Sequence, residues 1–155
     1  MLKIPKKSSV IISRVLTGVF FAGCIVSAFC THSFVAWLCK VYAVMFSVSG
    51  NEMILFEILS YAVIAIATAI SLLLFFLLIR VYHGEVFTAK SVSLIRGVSW
   101  CCFLLAATFS VLTYFFTIAA SMLAFVAILL GLCLRVVKNV IEEATEIKAE
   151  NDLTV

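Results

Sequence analysis

Long apolar runs dominate the chain, and the polar residues that separate them can be named one by one. The first run covers about residues 9–30 and is broken only by Arg14, one turn inside its start. The second covers about 53–79 and is interrupted only by Glu57. The third, 98–134, has no charged residue at all. As a single helix it would be roughly 55 Å long at 1.5 Å per residue, far beyond a hydrocarbon core of about 30 Å. It must therefore fold back, and the pattern places the turn near "FFTIAAS", residues 115–121. Since a span needs roughly 20 apolar residues, the runs predict four transmembrane helices at about 9–30, 53–79, 98–115 and 119–136. The fold class expected is an all-α integral membrane protein, a single membrane domain over 1–155, with the last two helices as a tight hairpin.

The connecting segments have patterns of their own. Between the first two spans, 31–52 reads "THSFVAWLCKVYAVMFSVSGNE", too apolar for a free loop, yet with Lys40 near its middle. Phe34, Trp37, Leu38, Val41 and Met45 recur at helical spacing, and Trp37 and Tyr42 suit the headgroup zone, which predicts an outer interfacial helix. The stretch 80–97 forms an elbow. Gly84 suits a helix C-terminus, Thr88 suits an N-cap, and Phe87 is expected to tuck back against the helices. After the cap, Val92, Ile95 and Trp100 line an apolar side, with Lys90 and Arg96 at the headgroups. The tail, 137–155, continues the last helix. It places Val137, Val140, Ile141, Ala144 and Ile147 on one face and Glu142, Glu143, Glu146 and Glu150 mainly on the others.

Composition agrees with lipid as the solvent: 65% of residues are hydrophobic and only 12% charged, where a soluble domain carries about twice that charged share. The position of the charges matters more than the net +3. With four spans, both termini share a side with the elbow, and that side holds every Lys and Arg except Lys40. By the positive-inside rule this side is cytoplasmic, so the expected location is the cell membrane, multi-pass, with both termini inside. Three lysines ahead of an apolar run also match an export signal, with "VSA" at 26–28 and "FAGC" ending at Cys24 as cleavage-like sites. Arg14 and Phe21 speak against cleavage, so the first run is taken as a retained span. No basic surface of useful size is present, which excludes direct nucleic-acid binding.

Candidate chemistry inside the membrane is sparse. Cys24 and Cys30, Cys39, and Cys101, Cys102 and Cys133 include no C-x-x-C pair, and cysteine here reads as a small apolar residue. His32 and His83 fall on opposite sides of the bilayer, so they cannot share a metal or haem. No catalytic residue, metal or cofactor is expected. An ionisable residue within a span is a functional candidate because it is costly there, and Glu57 is the carboxylate that qualifies. It supports an alternative reading as a small four-helix transporter or permeation-related protein, although it lies near the outer end of its span. Ala62, Ala65 and Ala69 leave room for close helix packing, so a homo-oligomer stays open.

Two motifs point to a family. "GEVFTAKSVSLIRGVSW" at the elbow and the acidic ending "ENDLTV", in this order within a four-span layout, resemble domain-of-unknown-function family 2975. The resemblance covers the elbow at 84–96 and the tail at 142–155. The sequence departs from it at Ala89-Lys90 and in "VVKNVIEEATEIK". What the resemblance implies is a small bacterial membrane protein without an assigned activity, its gene often beside one for a helix-turn-helix transcription regulator. A cytoplasmic regulator of that kind is then the candidate partner. The surface expected to meet it is Glu85 and Phe87 of the elbow with Glu142, Glu143, Glu146, Glu150, Asp152, Leu153 and Val155 of the tail. On this reading the protein is not an enzyme, and its partners are the lipid bilayer and that regulator.

Overall fold

A computed structural model of the chain describes residues 6–43, 50–116 and 118–153, with side chains for 10–38, 40–41, 50–113 and 120–150. Four long helices account for nearly all of it: α1 (Lys6–Ala43), α2 (Gly50–Tyr82), α3 (Ala89–Phe116) and α4 (Ile118–Leu153). Each contains a stretch long and apolar enough to cross a membrane. Hydroxyl residues within these stretches do not interrupt them, because their side chains donate to the carbonyl one turn back. Thr17 bonds Ser13, Thr31 bonds Ser27, Ser60 bonds Phe56 and Thr68 bonds Ile64, all at 2.6–2.8 Å. That local bond satisfies the hydroxyl without water, which the bilayer core does not supply.

The helices pack in chain order, α1 on α2, α2 on α3 and α3 on α4, and among the described residues no other pair of helix backbones comes close. The arrangement is a row of antiparallel helices. In the α1·α2 pair the register is constant. Arg14 stacks on Phe75, the Ser71 hydroxyl donates to the Thr17 carbonyl, and His32 meets Glu57. Each of these pairs has residue numbers that sum to 88 or 89. Further along, two glycines sit against neighbouring side chains. A Cβ on Gly97 would lie 3.2 Å from the Leu73 side chain, and one on Gly131 the same distance from the Phe103 ring. The buried Ser99 hydroxyl also donates to the Gly131 carbonyl at 2.9 Å. Of the alanines of α2, Ala65 is exposed and Ala62 and Ala69 are half-buried.

At the end of the row opposite the elbow, Val35, Phe56 and Leu112 form a buried cluster joined by Leu38, Met53 and Phe109. This cluster corrects one expectation. Residues 31–43 do not form a separate interfacial helix; they prolong α1 without a break. The reason is local as well as tertiary. No Gly or Pro lies between Gly23 and Gly50, and Val35 is 1% exposed against α2 and α3. Of the anticipated stripe, Leu38 packs inward while Phe34, Trp37 and Val41 stay exposed; Tyr42 and Met45 lie outside the described side chains. Lys40 can be accommodated because it is in the last turn of α1.

α3 ends at Phe116 and α4 begins at Ile118, both within the stretch 115–121 where the fold-back is expected; residue 117 is outside the described residues. The tail is no separate element, because α4 continues to Leu153.

Candidate functional site

The elbow is built by a helix stop and a helix start in close succession. Gly84 has φ +79°, a left-handed conformation that costs glycine little. Its N–H donates to the Val81 carbonyl at 3.1 Å, and the next N–H, of Glu85, donates to Arg80 at 3.0 Å. This pair of bonds is a Schellman motif, which satisfies the last carbonyls of α2. Thr88 then caps α3 as expected: its hydroxyl oxygen accepts the Ser91 N–H at 3.3 Å. The Ser91 hydroxyl in turn donates to the Glu85 carbonyl at 2.8 Å, tying the loop to the new helix.

The functional side chains of the elbow are held differently from one another. The Glu85 carboxylate accepts from Arg80 at 3.1 Å. Phe87 does not tuck back. It stands 46% exposed, because the positions that pack inward are Val92, Ile95 and Val98 one turn and more into α3. Trp100 also points outward, and the Arg135 guanidinium lies 5.3 Å above its ring.

The tail meets α3 through Glu142. One of its oxygens accepts from Arg96 at 3.3 Å, and the other pairs with Lys138 one turn earlier on α4. The hydrogen bond from Lys138, with the nearby charges of Lys138 and Arg96, lowers the Glu142 pKa below the ordinary glutamate value. Beside this contact a groove of about 270 Å³ opens between the two helices, lined by Ala89, Val92, Arg96, Glu142, Thr145 and Glu146. The first turns of α3 and the tail thus share one surface. Along the tail Ile141 and Ala144 are half-buried, whereas Val137, Val140 and Ile147 are exposed together with Glu143, Glu146 and Glu150. Asp152 and Leu153 have no described side chain, and Val155 lies outside the described residues.

Glu57 is not alone. Its carboxylate is 2.8 Å from His32 Nδ1, with the histidine side chain 71% exposed and the glutamate 27%. Sequence reading treated the two separately. The signal was their equal distance from the connection between the first two spans, since an antiparallel hairpin pairs such positions. Glu57 is also far from the elbow: 23 residues separate it from Arg80, roughly 35 Å along a helix. If Arg80 marks one edge of a core about 30 Å thick, the pair lies at the other edge. Next to it, Ser27, Cys30, Phe34, Phe56, Val63 and Phe109 help to line a cleft of about 480 Å³.

The Arg14 guanidinium lies over the Phe75 ring at 5.8 Å and over the Tyr82 ring at 5.6 Å. Cys24, Cys30, Cys101, Cys102 and Cys133 are free thiols. Among the described residues no three His, Cys, Asp or Glu side chains converge as a metal site would require.

No curated protein and no solved structure matches the chain. The family described as protein of unknown function (DUF2975) matches residues 5–155. With four membrane-length helices and a match over almost all of its length, the chain belongs to that family.

Proposed function

We propose that this is a non-enzymatic multi-pass protein of the cell membrane whose elbow and tail form a docking face for a cytoplasmic protein. The orientation rests on charge. Lys90, Arg96, Arg135 and Lys138 gather at the elbow end of the row, and such a bias favours the cytoplasmic side. The observation that carries the proposal is the course of α4. At 36 residues it is about 54 Å long, so roughly 24 Å extends beyond a 30 Å core. That projecting length displays Val137, Val140 and Ile147 beside Glu143 and Glu146. The protein's own packing leaves these apolar side chains uncovered, and an amphipathic helix of this kind is a common means of partner recognition. The resemblance to family members encoded beside helix-turn-helix regulators makes such a regulator the first partner to test.

Removing residues 142–155 should abolish co-purification of the regulator while membrane insertion persists. Undiminished co-purification would discard the docking face.

A second reading is favoured by the His32–Glu57 pair near the cleft of α1, α2 and α3: a small transporter using Glu57. Glu57→Gln should then eliminate proton-coupled flux in proteoliposomes, and unchanged flux would dispose of it.

A further inference from the structure

We infer that the cleft between α3 and α4 at the elbow end binds the phosphate of an anionic glycerophospholipid. The cleft has a volume of about 340 Å³ and is lined by Arg96, Ser99, Trp100, Arg135, Lys138 and Asn139. Three of these six side chains are cationic. The carboxylate that faces them, Glu142, is shared between Lys138 and Arg96, so the cleft keeps an excess of positive charge. Arg135 accounts for much of that excess. Among the described residues it makes no ion pair, and its guanidinium is held by the ring faces of Trp100 at 5.3 Å and Phe103 at 5.6 Å. A guanidinium positioned by aromatic faces keeps its N–H edge for an acceptor, and its planar fork matches phosphate oxygens. Asn139 contributes in the same direction: its carbonyl oxygen accepts from Lys138 at 3.2 Å, which leaves the amide N–H groups as donors.

The surroundings select a lipid phosphate over a soluble one. Arg96 and Arg135 flank the charge-free stretch of residues 98–134, which places the cleft where a span meets the headgroups. Directly deeper on the same helix faces, Leu104 lies one turn from Trp100 and Leu132 nearly one turn from Arg135. Both leucines are exposed. A phosphodiester seated among the cations would lay its acyl chains along this apolar wall. A free phosphate would leave the wall unused. Basic pockets between spans on the cytoplasmic side hold anionic headgroups by the same combination.

The test is retention of lipid by the full-length protein in detergent, counted by native mass spectrometry with phosphatidylglycerol or phosphatidylcholine added. Phosphatidylglycerol should be retained in preference. Arg135→Gln should weaken retention about fivefold, the effect of one surface cation at about 1 kcal/mol, and Lys90→Gln, outside the cleft, should leave it unchanged. Glu142→Gln should strengthen retention by freeing Arg96 and Lys138, a gain that misfolding cannot produce. Equal retention of the two lipids, or equal losses in the Arg135 and Lys90 variants, would overturn the assignment. Displacement of the lipid by excess inorganic phosphate would also overturn it, in favour of a soluble phosphate ligand.

Discussion

Gly84 shows how much one residue determines here. Its φ of +79° lets α2 end and the chain turn within a few residues, and there is open space around its Cα. Replacement by alanine therefore meets no clash, only the cost of a left-handed backbone. Gly84→Ala should lower stability by about 1 kcal/mol, read as a reduced midpoint in thermal unfolding of the purified protein. Glu142 acts at the same scale through charge. Lys138 and Arg96 hold its pKa below the ordinary value, so the carboxylate's contribution is complete above the normal glutamate range. It is lost as pH falls through the lowered value. Protection factors of the tail amides, with the intrinsic pH dependence of exchange removed, should accordingly hold down to pH values below the usual glutamate range and drop beneath them. Glu142→Gln should remove that acid transition. Residues with strong local rules were legible in the sequence: the Gly84 break and the Thr88 cap. The Lys138–Glu142 pair was not read there. Phe87 was not, because whether an aromatic tucks in depends on which neighbours have already filled the core, and Val92, Ile95 and Val98 fill it.

At the scale of helices, apolar length was enough to place four of them, since the bilayer sets how long a span must be. Length could not show where α1 stops. Its continuation through residues 31–43 depends on Val35 meeting Phe56 and Leu112, a contact between distant parts of the chain. The His32–Glu57 pair escaped for a related reason: neither residue has a distinctive local pattern, and the α1·α2 register alone unites them. Packing of α3 on α4 also turns on a tertiary detail, the absence of a side chain at Gly131. A Cβ there would stand 3.2 Å from the Phe103 ring and 3.4 Å from Cys102. Gly131→Leu must push both away, and overpacking of this sort costs about 1–3 kcal/mol. The variant should unfold at lower temperature. It should also lose protection in the Arg96–Glu142 region, because the same helix pair carries that contact.

The whole molecule is a row of helices with unlike ends. One end carries the elbow, the basic cleft and the projecting tail; the other carries Val35, Phe56 and the His32–Glu57 pair. In a variant lacking the native cysteines, Phe87→Cys should react with an impermeant thiol reagent only after the cells are opened. Lys40→Cys should react in intact cells. The reverse pattern would invert the orientation and with it the docking proposal. The course of α4 adds a mechanical consequence. Because α4 is unbroken from the last span into the tail, no joint separates the two. From Lys138 to Leu153 the rod is roughly 22 Å long, so a tilt of about 10° in the span carries its tip roughly 4 Å. The Arg96–Glu142 contact lies near the pivot, where it resists such a swing with little movement of its own. On the orientation proposed above, a change in bilayer thickness that alters the tilt of the last span would be carried along α4 to the end of the tail.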